Sequence, residues 1–162
     1  MVSDIGARAW AAAAAVVDPE IPVLTIADLG VLRDVTVDEA GRVEVAITPT
    51  YSGCPAMNMI ALEIEMALAR AGLEGARVRT VLSPAWTTDW MSQEGRRKLR
   101  DYGIAPPPPG GGRGALFGTE IVACPRCGSG ETEVLSEFGS TSCKSLWRCL
   151  ACREPFDTFK CH

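Results

Sequence analysis

The chain has 162 residues, 47% of them hydrophobic and 22% charged, with a formal net charge of −4. This is enough apolar material for a core, excludes wholesale disorder, and gives no global attraction to nucleic acid. No apolar run approaches the ~20 residues of a membrane span.

Residues 4–17 predict a helix. Alanine is the strongest helix former, Ser3 or Asp4 caps the start, and Asp18-Pro19 stops it. Arg8 before an apolar stretch resembles a secretion signal, but Asp4 and Asp18-Pro19-Glu20 interrupt that pattern, so a cytoplasmic chain is expected. Residues 31–37 read as a strand, and Asp38 to Gly41 as a turn. Val43, Val45 and Ile47 alternate with Glu44, Ala46 and Thr48, the period of a half-buried strand. Residues 55–71 predict a helix with proline in its first turn, Gly72 past its end, and a stripe of Ile60, Ile64, Ala67, Leu68 and Ala71. A strand at 77–82 and a helix at 89–102, ended by Gly103, complete the order α-β-β-α-β-α. That order predicts an α+β domain with a small mixed sheet over residues 1–104.

Residues 105–114 read APPPPGGGRG. Four prolines remove backbone donors and the glycines loosen the chain, so this stretch predicts a linker. Residues 115–162 then form a second, smaller module.

There are seven cysteines, and the odd total argues against a complete disulfide framework. Cys124-Pro-Arg-Cys127-Gly and Cys149-Leu-Ala-Cys152 each predict a tight knuckle aiming two thiolates at one ion. Together they make a closed four-cysteine site suited to structural zinc, with iron as the alternative metal. A module of this size cannot bury enough surface alone, so metal binding would supply its folding energy. From Ala115 to His162, the cations Arg126, Lys144, Arg148, Arg153 and Lys160 face the anions Glu120, Glu131, Glu133, Glu137, Glu154 and Asp157. A phosphate-binding face needs a cationic cluster, so the module predicts protein docking rather than nucleic-acid binding.

Other residues keep two readings. Cys54, in Thr48-Pro-Thr-Tyr-Ser-Gly-Cys-Pro55, stands just before a predicted helix. The helix start would lower its pKa and make it a nucleophile or metal ligand; otherwise it is a small buried hydrophobe. Cys143 and Cys161, with His162, are either a labile soft-metal site or free cysteines. The polar loop Phe138 to Lys144 places Cys143 outside a core, with Lys144 favouring its thiolate. Asp18, Glu20 and Asp28 either form turns and caps or coordinate a hard ion. Trp86 and Trp90 are either core or a protein-contact anchor. Edge strands together with these tryptophans leave a homodimer open.

The stretches DPEIPVLTIADLG (Asp18 to Gly30) and TPTYSGCPAM (Thr48 to Met57) resemble the iron–sulfur assembly domain of SufT-type proteins. SPAWTTDWMSQEGRRKLRDYGIAPP (Ser83 to Pro107), FGSTSCK, the double CxxC and EPFDTFKCH (Glu154 to His162) resemble the PaaD family, small proteins encoded with the multicomponent phenylacetyl-CoA epoxidase of aerobic phenylacetate degradation. The resemblance implies an α+β domain followed by a zinc ribbon. It implies maturation of the epoxidase's metal centres rather than catalysis, with epoxidase subunits or their reductase as client and the iron–sulfur assembly machinery as partner. By position, Cys54 matches the motif cysteine, an iron or cluster ligand or transfer thiol, and Asp18 and Glu20 match the acidic loop. Cys124, Cys127, Cys149 and Cys152 match the ribbon ligands, and Cys143 and Cys161 two further subfamily cysteines. The implied cofactors are zinc and a labile iron–sulfur cluster or iron. The residues themselves argue against a di-iron oxygenase, which needs several Glu-x-x-His motifs, because the chain has one histidine, His162. A general cluster-assembly protein, a structural subunit, and thiol chemistry at Cys54 are the alternatives.

Overall fold

A computed structural model describes residues 2–108 and 121–159. The chain divides into two compact units at Trp86/Thr87.

In the first unit, helix α1 (Val2–Ala14) buries Ala9 and Ala13. It ends before the Asp18-Pro19 stop, because β-branched Val16 and Val17 follow and Val17 bridges Thr25 in extended conformation. Strands β1 (Leu32–Val37) and β2 (Val43–Ile47) are antiparallel. In their turn, Asp38 Oδ1 accepts the Ala40 and Arg42 N–H groups, both at 2.9 Å. Helix α2 (Ala56–Arg70) carries the chain to β3 (Arg77–Thr80), which runs parallel to β2. Parallel neighbours need such a crossover, and this one makes the sheet mixed, in the order β1-β2-β3. Helix α2 closes where Gly72 takes φ 75°, with Leu73 N–H returning to the Leu68 carbonyl at 2.9 Å.

The core of this unit joins Val45 and Ile47 of β2 to Ile60, Ile64 and Leu68 of α2. It also takes Ile21, Leu24, Ile26 and Leu29 from the irregular stretch between α1 and β1. Their spacing fits neither a helix nor a strand, so periodicity gives no sign of their burial. Turns hold them in place. Asp18 Oδ1 accepts the N–H groups of Glu20 and Ile21, both at 2.8 Å. Thr25 and Asp28 cap each other reciprocally at 3.0 and 3.1 Å. Trp86 closes the unit: it is 5% exposed, and its indole N–H donates to the Leu29 carbonyl at 2.8 Å.

The second unit starts with a single 3-10 turn (Thr88–Trp90) and helix α3 (Gln93–Asp101), capped by Ser92, whose hydroxyl accepts the Gly95 N–H at 2.9 Å. A sheet follows in the order β4-β7-β6-β5, built from β4 (Ile104–Ala105), β5 (Thr132–Ser136), β6 (Lys144–Cys149) and β7 (Pro155–Phe159). Here the structure departs from the expected boundary at 104/105. Helix α3 and β4 lie in the second unit, and Ala105, at 1% exposure, packs in its core with Val122, Cys124, Cys149 and Phe156. A two-residue strand has no periodicity to read, and its parallel pairing with β7 is long-range. Residues 109–114 of the expected linker lie outside the described residues.

Among the described residues, no helix is long and apolar enough to cross a membrane.

Candidate metal centre

The two knuckles share a backbone plan. In the first, Gly128 N–H returns to the Cys124 carbonyl at 2.9 Å, and Gly128 has φ 76°. In the second, the residue after Cys152 is Arg153, with φ 65°. Left-handed backbone costs a residue with a side chain roughly 1 kcal/mol. Sequence reasoning missed this arginine, although its place in the second knuckle matches Gly128 in the first. Arg153→Gly is expected to stabilise the second unit by about 0.5–1 kcal/mol, read as a higher thermal midpoint. An unchanged or lower midpoint would show that the arginine side chain stabilises more than its backbone strains.

The four sulfurs lie within 4.8 Å of one another. Cys124 Sγ and Cys152 Sγ are 3.8 Å apart, and Cys127 Sγ and Cys149 Sγ 3.5 Å. A tetrahedral ion with sulfur bonds of about 2.3 Å has sulfur–sulfur edges of roughly 3.8 Å. The cradle therefore fits one such ion, closed by four protein ligands. One cysteine of each knuckle, Cys124 and Cys149, is buried in the core of the unit, and the other, Cys127 and Cys152, is exposed. The Cys152 N–H, followed by neighbouring thiols, lowers the Cys149 thiol to about 7. At Cys152 the Glu154 N–H pulls downward, but desolvation and hydrogen bonds to Cys149, Cys124 and Cys127 outweigh it and push the thiol up to about 12. The two thiols shift in opposite directions because they share hydrogen bonds, and a cation at the site favours ionising both. Among the described residues, these four form the metal-binding cluster.

Cys54 stands in the first unit, half-buried, just before α2. Its thiol is pushed up rather than down. Burial is the main cause; the Ala56 N–H at the helix start pulls downward, and the Glu20 and Asp18 carboxylates push up again. The expected helix-start effect is present but outweighed. The structure also brings the acidic loop within electrostatic reach of this cysteine, which spacing alone does not indicate.

Cys143 lies in the second unit and is 4% exposed, with its sulfur 3.0 Å from Thr141 Oγ1. The expectation that its polar loop keeps it outside a core is overturned, and Lys144 beside it is buried too. The loop folds back because Gly139 lets it do so. Its N–H meets the Lys144 carbonyl at 2.7 Å, and a Cβ there would stand 2.6 Å from Asp157 Oδ1. Cys161 and His162 lie outside the described residues. Trp86 is a core residue rather than a contact anchor, and Trp90, in the second unit, is half-buried.

Comparisons with known proteins agree with this division. Residues 7–83 match the iron–sulfur cluster assembly protein family, and residues 109–160 the PaaD zinc beta ribbon domain. The chain is 52% identical to a candidate subunit of the 1,2-phenylacetyl-CoA epoxidase of Escherichia coli, over 94% of this chain and 90% of that one. It is 40% identical to the Fe-S protein maturation auxiliary factor YitW of Bacillus subtilis, over 48% of this chain and 76% of that one. A crystal structure of a domain of unknown function from Bacillus anthracis superposes with a TM-score of 0.55 at 28% identity, covering 60% of this chain and 92% of that one. With an iron–sulfur assembly domain ahead of a four-cysteine ribbon, and this similarity along nearly its whole length, the chain belongs to the PaaD family.

Proposed function

We propose that this protein is an accessory factor that supplies iron or iron–sulfur centres to the multicomponent phenylacetyl-CoA epoxidase. The observation that carries this reading is the separation of thiols by unit. Four cysteines close a site in the second unit, while Cys54 stands apart in the first, within reach of Glu20 and Asp18. A closed four-cysteine site suits a resident structural metal, for which zinc is the best match. An accessible thiol beside carboxylates suits a passing one. The raised pKa of Cys54 makes it a poor resting nucleophile. A thiol held protonated, which ionises only on meeting a cation, fits transient capture better than covalent catalysis. The 52% identity to a candidate epoxidase subunit points to that enzyme system as client, and the resemblance to maturation factors points to assembly rather than oxygenation. In this reading the second unit docks the client, in the cytoplasm.

Oxygen-free purification followed by zinc and iron analysis tests the assignment. Wild type, Cys54→Ala and Cys143→Ala should each keep about one zinc per chain. Only Cys54→Ala should lose iron loading, and it should lower epoxidase activity in cells by at least about tenfold. Full epoxidase activity with Cys54→Ala would overturn the carrier role.

A further inference from the structure

The first unit carries a groove of about 510 Å³ along α1 and α2. Its origin is compositional. Helix α1 and the residue just past its end offer Ala12 and Ala15, side chains too short to fill the space beside Met59, Glu63 and Ala67 of α2. On α2 the row Met59, Leu62 and Met66 is 49%, 50% and 40% exposed. Spacings of three and four residues align these side chains along one helix face. A contiguous apolar row beside an apolar groove is surface that a partner stabilises by covering.

The charges on the rim select the partner. Glu63 and Arg70 both line the groove, two helical turns apart. At about 1.5 Å rise per residue they are separated by roughly 10 Å along the axis, too far to pair with each other. Neither side chain has an ion-pair or hydrogen-bond partner among the described residues. Opposite charges at two points of one helix complement the same helix turned around. When two α2 helices run antiparallel about a twofold axis, Glu63 of each copy meets Arg70 of the other. The midpoint of the pair falls at Met66 and Ala67, so a flexible thioether and a small residue lie at the axis and allow close approach.

We propose that two copies of this chain associate through the α1–α2 face of the first unit, as an antiparallel twofold dimer held by reciprocal Glu63–Arg70 pairs. The dimer expected from sequence used sheet edges and the two tryptophans; this one uses neither.

Sedimentation or light scattering of the full chain, across micromolar concentrations and at two salt levels, tests the proposal. Wild type should dimerise with concentration, and less so at high salt. Glu63→Arg and Arg70→Glu each turn two attractive pairs into repulsive ones and should raise the dimer Kd at least about tenfold. The double variant Glu63→Arg/Arg70→Glu restores both pairs with their signs exchanged and should return the Kd to the wild-type range. Circular dichroism confirms that each variant is folded. A chain monomeric at every concentration overturns the proposal. So does a dimer that neither single reversal weakens, or a double variant that fails to rescue.

Discussion

Cys149→Ser is expected to release the bound metal and unfold residues 121–159, while the first unit stays folded. The four-cysteine site is part of the hydrophobic cluster that holds the strands of the second unit together. Besides the buried Met91, Leu99, Ile104, Cys143 and Phe159, the unit has a hydrophobic cluster of Ala105, Val122, Cys124, Cys149 and Phe156, with Trp147 packed against it. Two of those residues are themselves metal ligands. Apparent binding energies for structural zinc run to about 10–16 kcal/mol, comparable with the whole stability of an ordinary domain. Serine at position 149 removes a soft ligand, leaves a buried hydroxyl in its place, and unlocks the β6–β7 turn, where Cys149 N–H meets the Glu154 carbonyl at 3.0 Å. The first unit keeps its own core of Ile47, Ile60, Ile64 and Leu68 and contributes none of the four cysteines. Metal analysis together with two-dimensional NMR reads both halves at once. Expected are the loss of one metal per chain, collapse of the dispersed amide signals of β5–β7, and retention of those of β1–β3. Dispersed signals from β5–β7 without metal would show that the hydrophobic core suffices and that the site is incidental to folding.

The metal centre is legible in the sequence because each knuckle is a local object. Two cysteines three positions apart, in a tight turn, fix the geometry of their sulfurs with little help from the rest of the chain. Helix α2 is equally legible, from Pro55 before it, the Ile60–Ile64–Leu68 stripe within it and Gly72 after it. What escapes depends on distant contacts. Ala105 reads as linker because four prolines follow it, and its pairing with Thr158 of β7 lies far along the chain. The polar neighbours of Cys143 suggest a solvated loop, yet Gly139 lets that loop fold back against Asp157 and Lys144. The helix start alone would lower the pKa of Cys54. That effect is local and real, but burial and the Asp18-Pro19-Glu20 loop outweigh it, and neither can be counted from spacing.

The division of labour proposed for the cysteines rests on their surroundings. A carrier thiol must be reachable and must part with its cargo, whereas a structural ligand must do neither. Cys54 is half-buried in a unit with no closed ligand set among the described residues. The ribbon cysteines are closed by four, and two of them are sealed in a core. On the proposed carrier role, the same element, sulfur, serves an exchangeable site in one unit and a permanent one in the other.

Trp86→Ala should destabilise the first unit by about 3–5 kcal/mol through the lost ring alone, because large-to-small changes in a core forfeit transfer energy and leave a cavity. The indole also donates to the Leu29 carbonyl, at the end of the irregular stretch that carries Ile21, Leu24, Ile26 and Leu29 into the core. Leaving that carbonyl without its donor adds about 1–3 kcal/mol. Against a typical stability of about 5–15 kcal/mol, the sum brings the unit close to unfolding. Trp86→Phe separates the two contributions. It keeps most of the ring and loses the N–H, so it should cost clearly less than alanine and still more than a surface change. Thermal and urea unfolding of both variants, followed by circular dichroism, gives the order wild type, then phenylalanine, then alanine. A contact anchor on the surface would behave otherwise: both variants would unfold within about 0.5 kcal/mol of wild type, and only partner binding would fall. The tryptophan therefore acts from inside, by pinning the loop that holds the Asp18 turn and, through it, the carboxylates beside Cys54.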